Sequence, residues 1–368
     1  MSLIRPVERG DIDSVARLYQ RTFGGSARDA SAALSDCLKG FYLDGPTVDM
    51  SIPSLVHVAD NGAISGFLGV NVVPMAFAGR TLKTAFCGAL MVENHDKQPL
   101  AGARLLKAFL SGSQDLSLSE TANKTSLEMS KALRGRAFAG YSLEWMRAFA
   151  PAAFACDMVL RHSSLRSGLL PVARGLDGLI GRTGIGRRLA LEQAGAGKAP
   201  LATRAADAEE FADAVEPLTA HYRMRPCWAS ADLRHVVAQA FDKPRYGEAV
   251  AKIVAKGNGP SIGAFLYHLR PGGVGRVFHV LALPGMESAV IDSMFADAIK
   301  RGAAGLRGRT QPALLDGLLG KGAMFANASS TVVFSNDEDI LECFSSGKAF
   351  VNGFAGENWG RHIGGDFG

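Results

Sequence analysis

The sequence predicts an α/β (α+β) protein of two domains, each a mixed, mostly antiparallel sheet flanked by helices. Three consecutive strands joined by tight turns come before the first crossover helix, which is not the strict alternation of a doubly wound nucleotide-binding sheet. The same order of two helices, three hairpin-linked strands and a helix occurs again in the second half. The chain, with 368 residues, is also longer than one average domain.

The first half begins with a short strand at 3–7, and Asp11 is placed to cap the helix that follows it. Asp60-Asn61-Gly62 fits a hairpin turn between two apolar runs. We expect further helices at 29–41, 99–110 and 123–133, strands at 55–59, 64–78, 81–92 and 116–119, and an extended aromatic stretch at 135–149.

The second half repeats this order of elements without a repeat at the level of residues. We expect helices at 206–222, 230–241, 287–301 and 311–319, and strands at 249–255, 261–269 and 275–283. Between the halves, 158–200 is rich in glycine and arginine, which indicates a basic linker with a partly helical middle. The predicted domains are therefore 1–157 and 201–368.

The net positive charge of the chain comes from this linker. Residues 158–198 contain seven basic and two acidic side chains, and the whole chain has a formal net charge of +5. The rest of the chain therefore carries no net charge. Because no other segment combines basic and aromatic residues, the sequence gives little support to nucleic-acid binding.

Cysteine usage and hydropathy favour a cytoplasmic protein. The five cysteines are scattered and form no CxxC pair, which indicates reduced thiols and argues against a zinc site or a disulfide framework. The longest apolar stretches have the length of a strand rather than of a membrane span. The first residues are charged and lack the apolar core of a signal peptide.

The stretch from 81 to 110 predicts a phosphate site. An apolar strand ends in the polar turn 93–97, and Gln98-Pro99-Leu100-Ala101-Gly102-Ala103 then begins a helix. Free N–H groups and the positive end of the helix dipole favour an anion there, and small side chains let it approach the backbone. A second candidate, 181–189, is preceded by Pro and Gly where a strand is needed, so a flexible basic linker is the favoured interpretation of it.

The element order, with Ile4-Arg5-Pro6 and the Asp-capped first helix, resembles the GNAT superfamily of acyl-CoA-dependent N-acyltransferases. In that family a loop holds the coenzyme A pyrophosphate. Its sequence pattern is Gln or Arg, then any two residues, Gly, any one residue, and Gly or Ala. Residues 98–103 fit this spacing, with Ala101 in place of the first glycine. A later family pattern begins at Asn123, and Ser130 stands where the family has tyrosine. The second half lacks the phosphate loop, so the chain resembles a tandem member with a degenerate second domain.

The resemblance implies that acetyl-CoA or another acyl-CoA is the co-substrate, and it implies no metal. The backbone of Leu90, Met91 and Val92 would pair with the pantetheine. The other cofactor-binding residues would be Gln98, Ala101, Gly102, Ala103, Arg104 and Asn123. A small-molecule or peptide amine would attack the thioester directly.

Four residues are candidates for proton transfer. Glu93 at the end of the fourth strand or Glu120 at the end of the fifth could take the proton of the acceptor, although each could equally be an exposed turn residue. In the family the tyrosine often protonates the leaving thiolate. A serine hydroxyl is a much poorer donor near neutral pH, so Ser130, a water or Tyr141 would take that role.

The missing tyrosine and the degenerate second half leave a non-catalytic alternative open, a tandem GNAT-like module that binds a ligand or a membrane surface. Helical spacing links the apolar residues Leu165, Leu169, Val172, Leu176 and Ile180. The segment 158–198 could therefore make peripheral contact with an anionic membrane, or it could pack between the domains. Near the end of the chain, Trp359 is interpreted as an anchor rather than as a wall of the acceptor site. The sequence leaves the oligomeric state open.

Overall fold

A computed structural model describes residues 2–24, 29–93, 100–160, 166–180 and 201–367. The chain forms two compact units. Unit 1 contains Met1–Ser142, Tyr222–Gln239 and Ala328–Gly368, and unit 2 contains Leu143–His221 and Ala240–Asn327. The boundaries of these two units therefore differ from those of the predicted domains, 1–157 and 201–368.

The helices and strands predicted from the sequence occur in the described residues, with most bounds within a few residues, but a short helix interrupts the predicted extended stretch 135–149. The structure also contains elements that were not predicted, among them strands at 305–309, 324–327 and 330–334 and a helix at 338–345. The strands are β1 (Leu3–Pro6), β2 (Leu55–Val58), β3 (Ile64–Phe77), β4 (Arg80–Val92), β5 (Leu116–Ala122), β6 (Arg136–Ala137), β7 (Leu143–Ala148), β8 (Ala202–Ala205), β9 (Met224–Pro226), β10 (Glu248–Ala255), β11 (Ser261–Leu269), β12 (Val274–Ala282), β13 (Gly305–Arg309), β14 (Met324–Asn327) and β15 (Ser330–Phe334). The α-helices are α1 (Ile12–Phe23), α2 (Ala32–Tyr42), α3 (Ala101–Leu110), α4 (Lys124–Ala132), α5 (Ala139–Ser142), α6 (Pro151–Leu160), α7 (Arg166–Ile180), α8 (Ala208–Thr219), α9 (Ser230–Phe241), α10 (Glu287–Lys300), α11 (Pro312–Leu318) and α12 (Glu338–Ser345).

The sheet of unit 1 has the strand order β1-β2-β3-β4-β5-β15-β6, and β9 pairs with the end of β3. Neighbouring strands are antiparallel except for β4 and β5, which are parallel. The hairpin-linked strands β2, β3 and β4 precede the crossover helix α3, as the sequence predicts. Leu105 and Phe109 of α3 pack with Leu68 and Val70 of β3 into one buried cluster, because these strand residues alternate onto the α3 face.

Side-chain hydrogen bonds explain where several elements begin. Ser31 caps α2, since its hydroxyl accepts the N–H of Leu34 at 3.2 Å. Asp11 stands at the N-cap of α1, as predicted, but its carboxylate accepts two hydrogen bonds from Arg5, at 2.6 and 2.8 Å. This ion pair ties β1 to the start of α1.

The sheet of unit 2 has the strand order β14-β7-β13-β12-β11-β10-β8. Its pairs are antiparallel except for β12 and β13, which are parallel. The layout therefore repeats that of unit 1, with a meander of three strands, a crossover helix (α10) and a parallel fifth strand. Residues of α10, among them Val290 and Met294, pack with Phe265 and Val280 in the core of this unit.

The two units exchange strands along the chain. Strand β15 lies between β5 and β6 of unit 1, although the whole of β10–β14 separates it from them in sequence. Strand β7 follows α5 of unit 1 directly and pairs with β13 and β14 in unit 2. The segment boundaries differ from the predicted ones because each sheet incorporates a strand from beyond the predicted boundary.

Part of the predicted linker is helical. Helix α7 contains Pro171 and covers Arg166–Ile180, whereas 161–165 and 181–200, with the second phosphate-loop candidate 181–189, lie outside the described residues. No helix in the described ranges is long and apolar enough to cross a membrane.

Candidate functional site

The sheet of unit 1 opens into a fork between β4 and β5. The two strands pair only where Thr84–Phe86 faces Leu116–Leu118. Beyond this point β4 continues to Val92 while pairing with β3 on its other side. One backbone edge of 88–92 therefore has no ladder partner among the described residues, and its N–H and C=O groups can bind a ligand that lies along the strand.

A β-bulge lies at the base of this fork. Met91 is opposite Phe67 and Gly88 is opposite Gly69, so β4 carries one residue more than β3 over this interval. Ala89 takes up the irregularity with a φ of 46°, in the left-handed region. Such a conformation costs on the order of 1–3 kcal/mol for a residue with a side chain, and such strain is concentrated at functional sites. The bulge turns the free edge of β4 relative to the rest of the strand.

Helix α3 begins beside the open end of β4. Leu100 is its N-cap and provides no side-chain hydrogen bond, so the first amides of the helix have no partner within the helix. Ala101 and Gly102 are buried, and Arg104 donates to Ser2, with 2.6 Å between Nη1 and the serine Oγ. Gln98, the first residue of the predicted phosphate loop, lies outside the described residues.

A cavity of about 550 Å³ lies against this helix start. It is lined by Ser2, His57, Ala59, Asp60, Asn61, Leu100, Ala101 and Arg104. A Cβ on Gly102 would meet Met129 and Val92 at 3.5 and 3.6 Å, which are ordinary contacts, so alanine would fit at this position. The structure thus places the described part of the predicted loop, residues 100–103, at a helix start next to a cavity.

A carboxylate that the sequence prediction missed lies in the fork. The tail segment (residues 348–367) belongs to unit 1, and from 349 to 360 every residue except Asn358 is buried. Within it, Glu357 Oε1 accepts a hydrogen bond from Thr121 Oγ1 of β5 at 2.7 Å. Glu357 Oε2 lies only 1.4 Å from the place that a Cβ on Gly88 of β4 would take. The carboxylate therefore contacts both arms of the fork, and only glycine at position 88 leaves room for it.

The environment of Glu357 suits it to accept a proton at neutral pH. The pKa of this carboxyl is raised to about 7: burial raises it most, the hydrogen bond from Thr121 partly opposes this, and the negative charge of Glu120 adds a smaller increase. A group with a pKa near the working pH is an effective general base. At pH 7 about half of the molecules would carry the ionised form.

Glu120, a predicted base, fastens the tail segment. Its side chain is buried and accepts hydrogen bonds from the backbone N–H groups of Gly353 and Glu357, both at 3.0 Å, and from the amide of Asn358. The carboxylate that sequence reasoning placed at the end of the fifth strand is therefore at the site, and the structure shows it holding Glu357.

The other three predicted catalytic residues lie after β4, in α4 and in α5. Glu93 follows β4 and pairs with Arg21 at 2.5 Å, partly exposed. Ser130 is buried in α4. The buried Tyr141 hydroxyl donates to the carbonyl of Ala349 at 2.9 Å, and burial raises the pKa of Tyr141 well above its usual range, which makes it a weaker acid. The proton-transfer roles of these three residues remain predictions.

The predicted cofactor-binding residues fall into two groups. Leu90, Met91 and Val92 lie along the free edge of β4. Asn123 caps α4, and its Oδ1 accepts the N–H of Ser126 at 2.9 Å, so that oxygen has a structural partner.

Within the described residues, no group of three His, Cys, Asp or Glu side chains could hold a metal ion.

Aromatic rings surround the tail segment. Trp359 is buried, and its ring lies 4.6 Å from that of Phe41, as expected of an anchor. Tyr42, the last residue of α2, lies over Gly69 of β3, and its hydroxyl is buried. The sequence signal that was missed is the neighbourhood of Glu357, because it is the one charged residue between 349 and 360, among apolar residues, glycines and asparagines. Such a segment is expected to be buried, and a buried carboxylate needs partners.

Unit 2 repeats the fork without the phosphate site. Strands β12 and β13 pair only where Val274–Val277 faces Gly305–Gly308. On its other side, β12 pairs with β11, and the register of that pair shifts between Leu266 and Tyr267. Glu287 lies in the first turn of α10, where its negative charge opposes anion binding. The candidate site of the chain is therefore in unit 1.

The architecture is similar to that of three solved structures. One is a conserved protein of unknown function from Enterococcus faecalis V583, a probable N-acyltransferase, with a TM-score of 0.59 at 8% identity over 94% of this chain and 74% of that one. GCN5-related N-acetyltransferases from Anabaena variabilis ATCC 29413 and Kribbella flavida have TM-scores of 0.56 and 0.52, identities of 11% and 15%, and matches over 90% of this chain and 72% and 70% of theirs. No family model and no curated protein sequence matches the chain. The chain has the fold of the GCN5-related N-acetyltransferases, in two GNAT-like domains.

Proposed function

We propose that the chain is an acyl-CoA-dependent N-acyltransferase, which moves an acetyl or longer acyl group to the amine of a small molecule or peptide. The observation that carries the proposal is the fork of unit 1, where a free strand edge lies beside a buried carboxylate with a pKa of about 7. The fold of the three similar structures supports the same activity class. The cytoplasm is the proposed location.

Different parts of the site would bind the co-substrate and accept the proton. The backbone of Leu90, Met91 and Val92 would pair with the pantetheine, and the start of α3, with Gln98 and residues 101–104, would receive the pyrophosphate. Glu357 would accept a proton from the amine nitrogen as this attacks the thioester carbon. The new N–C bond forms, the C–S bond breaks, and coenzyme A leaves as the thiolate. Glu357 takes the role that the sequence predicted for Glu93 or Glu120.

The attack would be direct, without an acyl-enzyme. Cys87 is the one cysteine on the forked part of β4, and burial raises the pKa of its thiol to about 12, which leaves almost no thiolate at neutral pH. None of the five cysteines, all of them in the described part of the chain, forms a disulfide.

Titration calorimetry with acetyl-CoA tests the phosphate site. Gly102→Glu adds a negative charge to the first turn of α3, where it suits the helix dipole but repels a pyrophosphate. One charge pair about 5 Å apart at an effective dielectric constant of about 20 is worth about 3 kcal/mol, or about a hundredfold in affinity. Gly102→Ala, which meets ordinary contacts, is the matched control and should bind normally. No binding to the unaltered protein, or full affinity in the glutamate variant, would contradict the proposal.

A second candidate function, peripheral membrane binding, is supported by the exposed face of α7. Leu169, Val172 and Leu176 are 47%, 61% and 52% exposed and recur at helical spacing. They belong to the segment 158–198, which carries the net charge of the chain. Anionic vesicles should therefore bind the protein, and neutral vesicles should not.

Changing the three α7 residues to serine should abolish this vesicle binding. Leu319→Ser, at a leucine that is 59% exposed elsewhere on the chain, is the matched control and should leave it unchanged. Equal binding by the triple variant would rule out α7 as the contact.

A further inference from the structure

The hydroxyl of Tyr42 is a buried polar group without a hydrogen-bond partner among the described residues. The residue is only 1% exposed, and its ring packs against Phe41 and Phe67 at centroid distances of 4.8 and 5.1 Å. An unpaired buried hydroxyl lowers the stability of a fold, so a phenylalanine would be the better residue if only packing mattered.

The position of this hydroxyl relates it to Glu357. Gly69 and Gly88 are directly opposite each other in the β3–β4 pair, so Cβ atoms on them would lie on one face of the sheet, roughly 5 Å apart. Tyr42 Oη lies 2.8 Å from the first of these two places, and Glu357 Oε2 lies 1.4 Å from the second. The two oxygens therefore lie on the same face, within about 10 Å of each other.

No hydrogen bond joins the two oxygens. A single amine nitrogen that hydrogen-bonds to both would place them about 4.5–5 Å apart, which is compatible with this upper limit. Burial raises the pKa of Tyr42 well above its usual range, so the hydroxyl stays neutral and can accept an N–H. The pair thus offers two acceptors to one nitrogen, one neutral and one a carboxylate.

We propose, as an extension of the function proposed above, that Tyr42 positions the acceptor nitrogen and makes the site selective for primary amines. A neutral primary amine donates one N–H to Tyr42 Oη and the other to Glu357 Oε2, which leaves its lone pair for the thioester carbon. As the N–C bond forms and the C–S bond breaks, the N–H proton held by Glu357 passes to that carboxylate, and the thiolate leaves. A secondary amine has one N–H and satisfies only one of the two oxygens.

Tyr42→Phe tests this role because it removes the hydroxyl and keeps the ring. We expect kcat/KM for a primary alkylamine to fall at least tenfold, with acetyl-CoA binding by calorimetry unchanged. The ratio of kcat/KM for the primary amine over its N-methyl derivative should fall toward one. The melting temperature should be equal or higher, because the lost hydroxyl has no partner. A merely structural hydroxyl would change stability without changing this ratio.

Tyr19→Phe is the matched control, since the Tyr19 hydroxyl donates to the carbonyl of His362 at 3.1 Å in the same unit. It should lower the melting temperature and leave the primary-to-secondary ratio as it is. Unchanged kcat/KM or an unchanged ratio in Tyr42→Phe would overturn the role of Tyr42 while the acyltransferase function stands. Absence of transfer to any amine by the unaltered protein would overturn the function itself, and this role with it.

Discussion

The Glu357 carboxylate should make the free energy of unfolding depend on pH, and Glu357→Gln should remove that dependence. Burial raises the pKa of this carboxyl from 4.5 to about 7 in the folded chain. Because the folded state holds the proton more tightly, its stabilising contribution is complete below about pH 4.5 and is lost as the pH rises through 7. The interval corresponds to about 3 kcal/mol, worked at 1.36 kcal/mol for each unit. Glu357 as a whole is 4% exposed, so solvent screening reduces this figure little.

Denaturant unfolding of both proteins at pH values from 4 to 8 measures this contribution. Other titrating groups affect both proteins equally, so the difference between their unfolding free energies isolates position 357. The glutamine can still accept the hydrogen bond from Thr121, which keeps the comparison close to one of charge alone. Two of the three tryptophans, Trp228 and Trp359, belong to unit 1, so tryptophan fluorescence reports in part on the unit that contains the site.

We expect the glutamine variant to gain about 3 kcal/mol relative to the unaltered protein between pH 4 and pH 8. Transfer by the unaltered protein should rise with pH through about 7, and the variant should lose on the order of 10²–10⁴ in rate. Stability curves that run parallel within about 0.5 kcal/mol would mean that water solvates the carboxylate. Its assignment as the general base would then be refuted.

Three further predictions concern the neighbours of Glu357. Gly88→Ala places a methyl group 1.4 Å from Glu357 Oε2 and should abolish acyl transfer. Gly10→Ala, whose added methyl group meets nothing within 4 Å, is the control and should leave transfer unchanged. Equal rates in both variants would contradict the placement of the carboxylate. Glu120→Gln removes a negative charge that raises the pKa of Glu357, so the midpoint of the pH–rate profile should move below 7; a midpoint that rises would count against this coupling. The Cys87 thiol, whose pKa burial raises to about 12, should resist a disulfide reagent at pH 8 until the protein is unfolded in urea, and rapid labelling of the native protein would show that it is accessible.

The sequence predicted the parts of the fold that depend on neighbouring residues. The hairpin turns and apolar runs of β2–β4 are local patterns, and the structure contains each of these strands. Strand β15 could not be assigned to the first sheet, because its partner β5 lies more than two hundred residues earlier and nothing local specifies the pairing. The burial of Glu357 depends on that long-range packing, and so does the contact of Glu120 with the tail segment. The base candidates predicted from strand ends therefore included the residue that holds the carboxylate but not the carboxylate itself.

The exchange of strands also determines when this chain can fold during its synthesis. Because β15 lies between β5 and β6, the first sheet stays incomplete until the ribosome has delivered the chain as far as Phe334. From the end of β5 at Ala122 to Phe334, synthesis at roughly 5–20 residues per second takes on the order of 10–40 seconds, during which one edge of β5 has no partner, and Glu357 follows later still. The early part of the nascent chain would therefore spend that time as a natural client of ribosome-associated chaperones, and the active centre would be assembled last.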